Sequence, residues 1–310
     1  MPHPKNPLRR AYRGIRAAGL RLIHACGFQV MRSGDYYSPL PVPSRLRATR
    51  ERWQRPSALV GIDYDLDAMR GLLRELLDAH GAEYTALPTY DEVKRLGYGP
   101  GFTRVDALTL YLMLRRLKPR RYVEIGSGFS TFYSARAIAR NRQEGHPCRM
   151  TCIDPFPTRE LRELGDVEVL AREVQDVPVD FFAEVGEGGV LFIDSTHVVR
   201  IDGDVPYLYL EALPRLGRGA VVHVHDIHFP FHVPYPPDAY LFDAKWPRYW
   251  TEAMLLQAFL SFNPAFTIEF SAPLLRHFDE PFLAAKIPGY QPVNGDDFDT
   301  HFGSIWLRRR

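Results

Sequence analysis

The sequence predicts an α/β fold: an open, doubly wound, mostly parallel sheet with helices on both faces, preceded by a helical N-terminal extension. Three observations carry this expectation. From residue 121 onward, short apolar runs alternate with helical segments, the pattern of a parallel sheet covered on both sides. A glycine turn, Gly126-Ser127-Gly128, joins the first such run to the first such helix. Upstream of it lie helical stripes with no strand between them. The 310 residues, 45% of them apolar, suffice for one large domain with extensions.

Taken in order, residues 1–34 carry Lys5, Arg9, Arg10, Arg13, Arg16, Arg21 and Arg32 and no acid. Leu8, Tyr12, Ile15, Leu22 and Ile23 fall near one face at helical spacing. This suits a basic amphipathic helix on an anionic membrane surface, and so a peripheral membrane contact for a chain expected to be cytoplasmic. A solvated arm, or a helix packed on the domain or on another copy in a homo-oligomer, is the commoner use of such a pattern. Ser38 to Pro56 is rich in Pro and Arg and reads as an extended connector. The expected organisation is therefore an arm and connector over 1–60 and a folded domain over 61–310. Within that domain Leu66, Met69, Leu72, Leu73, Leu76 and Leu77 make a helical stripe over Asp65 to His80. A second helix is expected from Arg104 to Leu117, stopped by Pro119.

Strands are then expected at Tyr122 to Ile125, Met150 to Ile153, Val167 to Leu170, Val190 to Ile193 and Ala220 to Val224. The intervening helices are expected at Thr131 to Arg140, Val179 to Val185 and Val205 to Leu213. A longer helix near Trp250 to Phe262 precedes two last strands, Phe266 to Phe270 and Ser304 to Leu307, at least one antiparallel. Pro273, Pro281, Pro288 and Pro292 mark the segment between these strands as a long loop. No apolar run approaches the ~20 residues of a membrane span, and no signal-peptide pattern is present. A net charge of +2 gives no electrostatic case for nucleic acid. Cys26, Cys148 and Cys152 have no C-x-x-C spacing and read as idle thiols of a reducing compartment.

The glycine turn lacks the third glycine of a dinucleotide loop and the G-K-[ST] of a phosphate loop. Glu124 just before it suits an ammonium group better than a pyrophosphate, and Ser130 and Thr131 are suitable caps for the next helix. The second strand ends in Ile153-Asp154-Pro155. An acid there can accept both ribose hydroxyls of a nucleoside cofactor, whether NAD or S-adenosylmethionine. Phe156 is placed to pack on adenine, and Gln175 and Asp176 to read its amino group. The expected cofactor shell is Glu124, Gly126, Ser127, Gly128, Ser130, Thr131, Asp154, Pro155, Phe156, Gln175, Asp176, Asp194 and Ser195.

Glu124 to Thr131, Cys152 to Pro155, Phe192 to Val198 and His223 to Ile227 together resemble the bacterial class I methyltransferases grouped as methyltransferase family 24. The resemblance covers about residues 90 to 310. It implies a Rossmann-like, seven-stranded sheet with a reversed last strand, S-adenosylmethionine as cofactor and methyl transfer as activity. It is specific for fold and cofactor and silent on the acceptor.

Strand four ends in Asp194-Ser195-Thr196-His197 and strand five in His225-Asp226. Adjacent strand ends bring these groups together, and carboxylates with imidazoles can hold a divalent metal. The set Asp194, His225 and Asp226 resembles the metal site of sugar O-methyltransferases, with His225 standing where an acid is usual. That departure admits Mn²⁺ or Zn²⁺ as well as Mg²⁺, or no metal. An alcohol must lose its proton as the methyl arrives, so His197, then His225, are candidate bases beside Asp226. The aromatic, proline-rich stretch Phe229 to Asp243 is expected to wall a pocket for a small-molecule or glycan acceptor. Two other classes stay open. One is a non-haem oxygenase using His197, His225 and a carboxylate. The other is a non-catalytic scaffold in a membrane-associated biosynthetic complex.

Overall fold

The computed structural model describes residues 17–31, 34–98 and 101–310. The chain divides into two compact units, Met1–Arg50 and Glu51–Arg310. In the first, residues 17–25 and Pro43–Ala48 are helical. Leu22, Ile23, Phe28, Val30 and Met31 all lie exposed there. Leu8, Tyr12 and Ile15 of the expected amphipathic stripe lie outside the described residues. Among the described residues no helix is long and apolar enough to cross a membrane.

The second unit opens with α1 (Leu66–Thr85). The Asp65 carboxylate accepts from the Ala68 N–H at its start, and Met69, Leu73 and Leu76 are buried on one face. After α2 (Tyr90–Lys94) comes α3 (Arg104–Leu117), capped by Thr103 and buried over nearly its whole surface. Seven strands follow: β1 (Arg121–Ile125), β2 (Arg149–Ile153), β3 (Val167–Leu170), β4 (Gly189–Ile193), β5 (Val221–Val224), β6 (Phe266–Ser271) and β7 (Ile305–Arg309). Their order is β3-β2-β1-β4-β5-β7-β6. The pairs β1–β2, β2–β3, β1–β4 and β4–β5 are parallel, and β7 runs antiparallel to both its neighbours. Only the last strand is therefore reversed, as the sequence implies. Strand β4 is buried on both faces, which is why it reads as an unbroken apolar run rather than an alternating one, and β5, equally buried, admits His223, whose Nε2 lies 2.9 Å from the Ser304 hydroxyl.

β1 and β4 are neighbours, and the chain winds outward from them in both directions. This is the switch point at which open α/β sheets bind ligands. The register pairs Ile125 with both Ile153 and Ile193, so three strand ends open onto one crevice.

The first part of the long loop expected between β6 and β7 is instead helix α4 (Ala272–Lys286), while Pro288 and Pro292 lie in the loop that follows it. The prolines of the helix misled for a physical reason. Pro273 occupies the first turn, where a missing N–H costs nothing, and Ser271 caps the Leu274 N–H at 3.3 Å. At Asp279 the backbone leaves the helix, and the Asp279 carboxylate caps Phe282 at 3.3 Å. Pro281 thus sits in the first turn of a second helical segment. The helix expected over Val205 to Leu213 is present as a continuous helical run over 204–215, with a π-helical turn at Leu208–Ala212.

Candidate functional site

A cavity of about 540 Å³ opens at the switch point. Gly126, Ser127, Asp154, Pro155, Phe156, Gln175, Asp194 and Ser195 of the expected cofactor shell line it. Gly126 has a φ of +82°, and a β-carbon there would collide with the Asp194 carbonyl oxygen. The turn is fastened to the sheet at both neighbours: Gly126 N–H donates to Ile153 O and Asp194 N–H to Ile125 O, each at 2.9 Å. The Asp154 carboxylate accepts from Phe156 N–H at 2.7 Å and from the Ser127 hydroxyl at 2.5 Å. This fixes its oxygens at the cavity wall. Phe156 stands 86% exposed at the rim, free to cover a flat ligand.

Five residues of the expected shell do not reach this wall. Glu124 is fully buried and turns away, accepting from the hydroxyls of Ser130 at 2.6 Å and Thr131 at 3.0 Å. The Thr131 hydroxyl in turn accepts from Gly128 N–H at 3.0 Å. Glu124, Gly128, Ser130 and Thr131 thus build the turn and the start of the following helix, Phe129–Gln143, from beneath. Burial pushes the Glu124 carboxyl up to about 8, against the hydrogen bonds that favour its ionised form. Asp176 is exposed and off the wall. Glu173 lines the cavity near Gln175, whose side-chain amide donates to Asp202 O at 3.0 Å.

At the other end stand Asp194, His197 and Asp226. The His197 Nε2 lies 3.5 Å from Asp194 and 3.3 Å from Asp226, and its Nδ1 lies 2.8 Å from Glu252. Burial disfavours charge on this ring, but the three carboxylates outweigh it and push its pKa up to about 10. The carboxylates therefore hold a proton on His197, which is not the base of ordinary pKa that the sequence suggests, and a cation at Nε2 would have to displace that proton. The Asp194 carboxyl, despite its burial, is held well below the usual range by His225 and His197. His197 and Asp226 both have left-handed backbone, with φ of 60° and 57°. Non-glycine residues persist there only when their surroundings hold them. For His197 those surroundings are identifiable. Thr251 N–H and Glu252 N–H both donate to its carbonyl, and the ring lies 4.6 Å from that of Trp250.

His225, expected as a metal ligand and second base, is neither placed nor free to act so. It is fully buried, with Nε2 3.1 Å from Asp106 and Nδ1 3.2 Å from Asp194. Asp106 itself accepts from Thr103 and from Gly303 N–H, so His225 donates to both acids and locks Asp194 in place. The donor set that does converge is Asp194, His197 and Asp226, whose ligand atoms lie within 4.8 Å of one another. Two carboxylates and one imidazole suit a divalent cation, with Glu252 orienting the imidazole from behind. The acid excess points the same way. Asp106, Asp194, Asp226 and Glu252 stand around His197 and His225, with His228 at 3.8 Å from Asp226. The two-histidine triad of a non-haem oxygenase is not assembled, because both ring nitrogens of His225 are engaged.

Sequence reasoning missed Asp106, Glu252, Trp250, Arg200 and Arg248. Asp106 left a trace, a lone acid among the apolar residues of α3. Glu252 reads from sequence as an ordinary acid in the first turn of its helix. The expected pocket wall, Phe229 to Asp243, does not line this cavity, where Arg248 and Trp250 stand instead. Phe231 stacks on Tyr235, and Tyr240 packs against Trp250 and His301.

A doubly wound sheet with one reversed strand and a nucleoside-sized crevice at its β1–β4 switch point is the architecture of the class I methyltransferases. Residues 123–227 match the family model described as a methyltransferase domain, family 24. An uncharacterized protein of Archaeoglobus fulgidus is 27% identical over 165 residues, which is 50% of this chain and 73% of that protein. Solved structures similar to the chain include two O-methyltransferases. One is TomG from Streptomyces achromogenes, involved in tomaymycin synthesis and solved with S-adenosylmethionine. It is 17% identical, covering 80% of this chain and 91% of that one, with a TM-score of 0.39. The other, from Bacillus cereus and solved with S-adenosylhomocysteine, is 14% identical, covering 80% and 93%, with a TM-score of 0.37.

Proposed function

We propose that the protein binds S-adenosylmethionine along Gly126, Ser127 and Asp154 and transfers its methyl group to a hydroxyl held beside Asp194, His197 and Asp226. The observation that carries this reading is the continuity of one cavity from the glycine turn to the carboxylate–histidine cluster. In the step, the acceptor oxygen attacks the methyl carbon as the carbon–sulfur bond breaks. The bonding pair stays on sulfur, and the hydroxyl proton must leave. Asp226 lines the cavity 3.3 Å from the His197 Nε2 and is placed to take that proton. His225 is not so placed. Asp194, His197 and Asp226 would hold a divalent cation, which lowers the pKa of a bound hydroxyl. Asp154 accepts the ribose hydroxyls, and Phe156 covers the adenine.

The reading is tested by calorimetry with S-adenosylhomocysteine and by transfer of labelled methyl to a panel of sugars, catechols and hydroxy acids. Micromolar cofactor binding and label recovered as a methyl ether support it. No binding of either cofactor form, or label recovered only on nitrogen or sulfur, rejects it.

A further inference from the structure

The geometry points to an acceptor that carries an anionic group, paired with the guanidinium of Arg248 at the end of the cavity beside His197. This rests on the proposed methyl transfer for the identity of the ligand as acceptor. It does not rest on it for the anion site itself.

Arg248 and Arg200 are the cationic side chains of fixed charge on the cavity wall. Several arginines of the second unit are tied to acids, as Arg115 is to Glu83 and Glu144. Among the described residues, neither Arg200 nor Arg248 has a carboxylate within ion-pair distance. Asp204, the acid on the wall nearest Arg200 in sequence, is occupied by the Thr196 N–H at 2.8 Å and the Thr196 hydroxyl at 2.6 Å.

Arg248 is also held rather than loose. Its guanidinium lies 5.8 Å from the ring centre of Tyr240, 5.7 Å from Trp250 and 5.6 Å from Phe298. Its backbone N–H donates to Tyr240 O at 2.9 Å. Three aromatic faces around a cation fix its position without neutralising its charge or using its N–H donors. Those donors stay available for an oxyanion, for which the guanidinium fork is suited.

The placement selects the acceptor end of the cavity. Trp250 touches Arg248 on one side and the His197 ring, at 4.6 Å, on the other. The two loops bearing the arginines are stitched together. Val199 N–H donates to the Thr251 hydroxyl at 2.8 Å, and Thr251 N–H to His197 O at 2.9 Å. An acceptor whose hydroxyl meets the Asp194–His197–Asp226 cluster therefore has Arg248 one indole away. Arg200 leaves the same stitched pair and can take either the same anion or the carboxylate of the cofactor. For that reason Arg248 carries the test.

Binding of matched pairs is measured by calorimetry, with and without S-adenosylhomocysteine. The pairs are 3,4-dihydroxybenzoate against 3,4-dihydroxybenzamide, and glucuronate against glucuronamide, with glucose 6-phosphate against glucose to separate phosphate from carboxylate. At least one acid is expected to bind on the order of 10- to 100-fold more tightly than its neutral partner, the worth of a charge-assisted pair. Arg248→Gln should abolish that difference and leave S-adenosylhomocysteine affinity unchanged, while Arg248→Lys should restore part of it. No acid preference in any pair, or a preference that survives Arg248→Gln, overturns the proposal. Failure of S-adenosylhomocysteine to bind, with an Arg248-dependent acid preference intact, rejects the methyltransferase reading and leaves the anion site standing.

Discussion

The carbonyl oxygen of Asp194 occupies the space where a side chain on Gly126 would begin. The two central strands β1 and β4 end so close together that the turn after one is shaped by the backbone of the other. Gly126→Ala must push the Asp194 loop outward or abandon its φ of +82°. Affinity for S-adenosylhomocysteine should fall on the order of 100-fold, with a lowered melting temperature. Asp154→Asn separates recognition from folding, because it keeps the shape of the side chain and weakens only its acceptance of hydroxyls. It should cost roughly 10-fold or more in affinity at unchanged melting temperature. Calorimetry and thermal melts on both variants decide this. Unchanged affinity in both removes the cofactor from the glycine turn.

A second prediction concerns the cation. With Asp194, His197 and Asp226 as its ligands, chelation should suppress turnover and Mn²⁺ or Mg²⁺ restore it. Asp226→Asn should lower turnover by roughly 10²- to 10⁴-fold while leaving cofactor affinity in place. Glu252→Gln keeps a partner for the His197 Nδ1 but removes the charge behind the ring. It should weaken metal affinity by roughly 10-fold. Full turnover in chelator, with no metal in the purified protein, would dispose of the ion but not of the Asp226 assignment.

Periodicity exposes elements and says little about which way a polar side chain turns. The central strands were readable because strands buried on both faces are largely apolar, and the Arg104–Leu117 helix because Pro119 stops it. The Ala272–Lys286 helix was not, because prolines in first turns look the same in sequence as prolines in loops. At the cavity wall, Gly126 and Asp154 were legible as candidates through position, each at the end of a strand. The burial of Glu124 beneath the turn escaped the sequence, although the hydroxyls that claim it, on Ser130 and Thr131, stand close by in the chain. The pairing of His225 with Asp106 escaped the sequence because that partner lies 119 residues away. Pairings of that range leave no local pattern.

The exposed apolar residues of the first unit bear on a third prediction. Leu22, Phe28 and Met31 are exposed, within a stretch of sequence that has seven basic residues and no acid over positions 1–34. Full-length protein should sediment with vesicles containing phosphatidylserine and not with neutral ones, and added salt should release it. Deletion of residues 1–34 should abolish sedimentation. Equal sedimentation of both forms would leave the arm without a lipid role.

The last prediction follows from Glu124. In the folded chain burial raises its carboxyl to about 8, against 4.5 for the free side chain. The folded state therefore holds a proton there that the unfolded state gives up between these values. The sign follows from linkage: where the folded state binds more protons, stability falls as pH rises. The contribution is fully present below the unfolded value and is lost as pH climbs through about 8. Glu124→Gln mimics the protonated acid at every pH and keeps an oxygen to accept from Ser130 and Thr131. The melting temperature of the wild type, relative to this variant, should drop by roughly 5 °C or more between pH 6 and pH 9. Buffers of matched ionic strength isolate the effect from screening of surface pairs. A difference that stays constant across that range would mean that Glu124 is ionised in the fold. Its carboxylate would then be stabilised by Ser130 and Thr131 more than burial penalises it, and the turn would carry a negative charge beneath the cofactor's ammonium group after all.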